Sequence, residues 1–77
     1  MNATRRKTIH SLLAKIENLK LEPETVQAEE QEIFDKLSET AQESERGQAI
    51  GEAADHLQDA LDSLEDVTSS LEQSVEE

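Results

Sequence analysis

Two pairs of carboxylates, Glu29 with Glu32 and Glu52 with Asp55, are spaced one helical turn apart, which sets both members of each pair on one side of a helix. On facing helices such pairs can hold a magnesium ion against a phosphoanhydride while water attacks it. That chemistry also needs cations to receive the phosphates, and only Lys36 and Arg46 lie near these acids in the sequence. With 19 acidic residues in a chain of 77, such spacings recur by composition alone, and a solvated acidic face is the simpler account. His10 and His56 are too far apart in any pairing of two helices to share a metal. The chain has no cysteine, which removes disulfides, thiolate metal sites and thiol nucleophiles together. No constellation names a reaction, so the residues read as those of a non-enzymatic protein without cofactor or metal.

The elements that must position any site are written more clearly. Ile50, Ala54, Leu57, Leu61, Leu64, Thr68, Leu71 and Val75 alternate steps of three and four, which draws one apolar stripe along a helix. Leu12, Ile16, Leu19, Pro23, Val26, Glu30, Ile33 and Leu37 step in the same way, with Pro23 and Glu30 as interruptions. Proline removes one backbone hydrogen bond and crowds the preceding turn. The stripe nevertheless resumes in phase after Pro23, which favours one continuous, kinked helix over two helices joined by a loop. Phe34 is the only aromatic residue, so the core must be built from Leu, Ile, Val and Ala, as in a helical bundle.

The first helix is expected to begin near Thr4 and to end at a turn over residues 37–40. Thr40-Ala41-Gln42-Glu43 fits a capping box, which would start the second helix at Thr40 and carry it to about Val75. Two helices of similar length joined by a short turn make an antiparallel hairpin, a single all-α domain over residues 1–77. A hairpin of this size encloses little interior, and its stripe is wider than one neighbouring helix covers, so a second copy is expected to complete a four-helix bundle. Gly47 and Gly51 fall inside the second helix at a cost of about 1 kcal/mol each. Close packing on small residues offsets that cost in one reading; in the other, the bare backbone receives a ligand or partner.

The net charge of −12 is unevenly spread. Residues 1–20 hold Arg5, Arg6, Lys7, Lys15 and Lys20 against Glu17, and the rest is acidic except for Lys36 and Arg46. Such a body repels nucleic acid, so no direct binding to DNA or RNA is expected. Arg5, Arg6 and Lys7 at a helix start, and Glu72, Glu76 and Glu77 at a helix end, both oppose the helix dipole. A hairpin sets these clusters side by side, where they pair; alternatively the basic cluster holds a phosphate or an acidic surface. Glu52, Asp55, Asp59, Asp62 and Asp66 form an acidic stripe that imitates a phosphate backbone or is simply the wet side of its helix. No apolar run approaches membrane-spanning length and no signal-type segment follows the basic start, which points to a cytoplasmic protein away from membranes.

The run from Glu29 to Glu39, the run Gln42-Glu43-Ser44-Glu45-Arg46-Gly47-Gln48-Ala49, the opening Arg5-Arg6-Lys7 and the closing Leu57, Leu61 and Leu64 resemble a group of short, mostly uncharacterised phage and prophage helical-hairpin proteins. The group carries proline and asparagine at the turn, where Ser38 and Lys36 stand here, and generally lacks a proline at position 23. The resemblance implies a phage origin, a host-cytoplasmic location and a role against host defences. The partner would be a host defence protein, or a nucleotide signal sequestered by an oligomer. The paired carboxylates also look like the two acidic motifs of all-helical nucleotide pyrophosphatases, which keeps magnesium-dependent hydrolysis as a further alternative. A partner or ligand is expected around Arg46, Gly47 and Gln48, with Arg5, Arg6 and Lys7 as the second choice. Arg46 is the one cation of the second helix and stands beside glycine backbone.

Overall fold

Asparagine before a run of good helix formers makes a strong start signal, and the chain uses it. Asn2 caps the first helix, its side chain accepting from the Arg5 amide at 2.8 Å. The computed structural model describes residues 1–76 as helices α1 (Ala3–Lys36), α2 (Glu39–Glu43) and α3 (Glu45–Glu76), with no strand among the described residues. The all-helical expectation is met. α1 runs unbroken through Pro23, whose ring is half-buried.

The second helix does not begin at Thr40 as the capping box implied. Ser38 caps α2 instead, accepting from the Ala41 amide at 3.2 Å. The chain breaks again at Ser44, whose backbone is extended and whose hydroxyl accepts from the Gly47 amide at 3.1 Å, opening α3. A serine needs no reciprocal glutamate to cap, so two serines outcompete one threonine box. Gln42 ties α2 back to the end of α1, donating at 3.0 Å to the Phe34 carbonyl, which also accepts from the Leu37 amide at 3.1 Å.

α1 and α3 lie against each other. Lys20 bonds Glu65, and the Phe34 ring covers Gly51. In both pairs the residue numbers add to 85, so the two helices run antiparallel with a constant register. The molecule is extended, 57 × 17 × 13 Å over its Cα atoms. Its accessible surface of 5757 Å² exceeds the roughly 4,700 Å² expected of a compact chain of this mass.

The apolar stripe of α1 does not face α3 as its spacing implied. Leu13, Lys20, Gln27 and Phe34 turn toward α3, while Leu12, Leu19, Val26 and Ile33 are 41 to 58% exposed. The reason is angular. The stripe spans a wider arc than one helix covers, and the α3 contact takes only its edge. Ala54 and Leu61 are the sole buried apolar side chains among the described residues.

Thr68 occupies the same inward row of α3, and its hydroxyl is buried without a hydrogen-bond partner. An orphaned hydroxyl costs about 1–3 kcal/mol, and valine fills nearly the same volume without it. Thr68→Val should therefore raise stability by about 1 kcal/mol, a rise of about 4–8 °C in melting midpoint for a chain of this size. Calorimetry checks it.

Candidate functional site

At about 100° per residue, one position before each inward residue turns sideways out of the contact. On α1 that row is Leu12, Leu19, Val26 and Ile33; on α3 it is Arg46, Ala53, Ala60 and Val67. Because the helices are antiparallel, the same turn about each axis brings both rows to one side of the pair. The hollow at the turn end bears this out: Ile33 and Leu37 line it together with Arg46 and Ile50, enclosing about 340 Å³. Between the two rows run the half-buried Ile16, Pro23, Leu57, Leu64 and Leu71. The pair thus has one apolar face along its whole length. Five of the seven exposed large apolar side chains lie on it, Met1 and Leu21 being the others.

The opposite face is polar. Lys20, Glu24, Gln27, Gln58, Leu61, Asp62 and Glu65 line a hollow of about 270 Å³ there. The stripe Glu52, Asp55, Asp59, Asp62 and Asp66 runs along the outer edge of α3 on this side, all of it exposed. Gln58 donates to Asp62 at 3.1 Å, the one side-chain bond among the described residues that touches the stripe.

Lys20 is the residue that sequence reading missed. It sits in the inward row of α1 at 5% exposure, and its ammonium donates to Glu17 at 3.0 Å and to Glu65 across the helix contact. The bond to Glu65, and after it the bond to Glu17, holds the ammonium above its ordinary value of 10.5, outweighing the opposing effect of burial. A raised ammonium pKa contributes stability that is fully present below the ordinary value and is lost as pH climbs through the raised one. The tie therefore persists through neutral and mildly alkaline solution. A lone lysine in a core row specifies register at some cost in stability, and the signal for it was a cation between Leu13 and Phe34 at heptad spacing. Glu65→Lys sets two ammonium groups against each other and should lower the urea midpoint. Adding Lys20→Glu should restore part of that loss, which a denaturation series read by circular dichroism measures.

The residues expected to bind are placed as follows. Arg46 is exposed at the rim of the turn-end hollow and makes no ion pair among the described residues. Gln48 is exposed and donates to the Glu43 carbonyl at 3.3 Å. Gly47 is buried, and the expectation that its backbone lies open is corrected: a Cβ there would stand 2.0 Å from the Ala41 carbonyl oxygen, so α2 already occupies the space. Gly51 is covered by the Phe34 ring in the same sense. Both glycines serve packing.

Arg5, Arg6 and Lys7 are exposed at the other end of the molecule, roughly 45–50 Å from Arg46 at 1.5 Å per residue, so the two candidate sites are separate within one chain. The basic cluster makes no ion pair with a described residue, although Glu72 and Glu76 stand at the same end; Glu77 lies outside the described residues. Asn2 takes the Arg5 amide that a bound anion would use.

The carboxylate pairs are not brought together. Glu29 and Glu32 fall on the outer side of α1, and Glu52 and Asp55 on the outer side of α3, all exposed. Among the described residues no group of three His, Asp or Glu side chains converges as a metal site. No helix among them is long and apolar enough to cross a membrane. No known protein family, curated protein or solved structure matches the chain.

Proposed function

We propose that this chain is a small, non-enzymatic interaction protein: a helical hairpin that associates with a second copy as a four-helix bundle and engages a host protein. The observation that carries it is the division of the α1–α3 pair into one apolar and one acidic face. An apolar face of this length marks an interaction surface, whereas an acidic ridge with almost no internal partners is free to meet a basic protein surface. In the setting the sequence resemblance implies, the partner is a host defence protein in the cytoplasm of a phage-infected cell.

Reversing the acidic ridge tests this reading. The triple variant Asp59→Lys, Asp62→Lys, Asp66→Lys should keep the helical signal and the dimeric mass and lose capture of a host-lysate partner that the parent retains. Equal capture by both proteins rejects the ridge as the binding surface.

A second reading, sequestration of a nucleotide signal by the oligomer, is favoured by cations that have no described acidic partner: Arg5, Arg6, Lys7 and Arg46. Thermal-shift screening of cyclic nucleotides separates the two, since a stabilising shift lost in Arg46→Ala supports sequestration. Magnesium-dependent pyrophosphate release from nucleoside triphosphates, abolished by Glu29→Gln and Asp55→Asn, would establish the hydrolytic alternative instead.

A further inference from the structure

The apolar face has an internal pattern that says how a second copy covers it. Its α1 row is bulky: Leu12, Leu19, Val26 and Ile33. Beyond Arg46 at the turn end, its α3 row carries the smaller side chains Ala53, Ala60, Val67 and Ser74. Each row repeats every seven residues, so each is a straight seam in a coiled geometry.

Two copies can be stacked face to face by a two-fold axis lying in the interface, either parallel or perpendicular to the helices. A parallel axis allows no sliding. Every residue then keeps its height, so α1 of one copy meets α3 of the other at the same levels at which it meets its own. Numbers that add to about 85 become neighbours, as in Lys20 with Glu65. The seams obey that constraint: Leu12 falls opposite Ser74, Leu19 opposite Val67, Val26 opposite Ala60 and Ile33 opposite Ala53, a bulky residue over a smaller one at all four levels. A perpendicular axis would stack α1 on α1, bulky on bulky, and α3 on α3, small on small.

Charge makes the same choice. α3 has one cation, Arg46, among nine acidic residues from Glu45 to Glu76, so two α3 helices side by side repel along their length. A parallel axis sets them diagonally across the bundle, each between two α1 helices. It also brings Arg5 and Arg6 to the height of the partner's acidic C-terminal turn, which relieves clusters that oppose the helix dipole. The Cα envelope of the whole pair is 57 × 17 Å on its broad side, room for the roughly 800 Å² that each partner of a stable interface buries.

We infer that the occupant of the apolar face is a second copy of this chain, related by a two-fold axis parallel to the helices, with each α1 packed between its own α3 and the partner's. The inference rests on the dimer proposed above and specifies its geometry. Because the chain has no cysteine, single thiols report it cleanly. Val26→Cys and Ala60→Cys chains are mixed, allowed to exchange, and treated with a short bis-maleimide. Crosslinked dimer should form in the mixture and be absent from either variant alone. Crosslinking of Val26→Cys with Leu19→Cys chains, and not with Ala60→Cys chains, would overturn this geometry while leaving the dimer standing. A monomeric mass by light scattering at micromolar concentration would overturn both.

Discussion

Leu61→Asp leaves no folded protein: the helical circular dichroism signal and any oligomeric mass should disappear together. Leu61 and Ala54 are the two buried apolar side chains of the described core, and Leu61 is the larger. Truncation to alanine already costs about 2–5 kcal/mol at such a site. An aspartate adds the desolvation of a carboxylate, and the polar hollow beside it supplies Glu24, Asp62 and Glu65 as like charges with only Lys20 to offset them. Natural domains retain about 5–15 kcal/mol in total, and a two-helix core sits at the low end. The loss therefore exceeds what the fold holds in reserve. A variant that remains helical in the parent's buffer, with an unshifted thermal midpoint, would show that Leu61 is not central to the core. Val67→Asp is the informative comparison. Val67 is 46% exposed on the apolar face, so that change should spare a monomeric helical pair and act only where a second copy covers the face.

How much of this was legible in the sequence differs from element to element, for physical reasons. Helical periodicity, the continuity of α1 through Pro23 and the end of α3 near Val75 were readable because apolar phase is a direct record of burial along one axis. The break at Ser44 was not. It depends on caps by Ser38 and Ser44 prevailing over a threonine box between them, and local sequence does not rank the three. The rotation of α1 was also hidden. A stripe two residues wide tells that its middle points inward, and α1 instead offers α3 one edge, with Lys20 and Gln27 in the contact and Leu19 and Val26 outside it. Of the candidate site, Arg46 was legible as the lone cation of its helix, whereas the covering of Gly47 by α2 required, beyond the expected turn near residues 37–40, the second break at Ser44. The place of Lys20 in the inward row is masked in the sequence by the basic segment over residues 1–20 to which it belongs.

Gly47→Ala should destabilise the protein by about 1–3 kcal/mol, although alanine is the better helix former by about 1 kcal/mol. The Cβ would stand 2.0 Å from the Ala41 carbonyl oxygen and 2.9 Å from both Cα and the carbonyl oxygen of Gln42. All three are backbone atoms, so no side chain can rotate away. Relief requires moving α2 off α3, and that motion strains three bonds: the Ser44 cap on the Gly47 amide, the Ser44 hydroxyl donating to Ala41 at 2.6 Å, and Gln42 holding the end of α1. Gly51 is the internal control. The nearest atoms to a Cβ there are Phe34 ring carbons at 3.1 to 3.4 Å, and a ring can tilt by a few tenths of an ångström. Helix propensity then offsets the crowding, so Gly51→Ala should be near neutral or slightly stabilising. Urea midpoints of the two variants give the contrast directly, because the same chemical change is made four residues apart in one helix. Should Gly47→Ala prove as harmless as Gly51→Ala, α2 does not press on α3 in solution, and the turn-end hollow with Arg46 on its rim loses its wall.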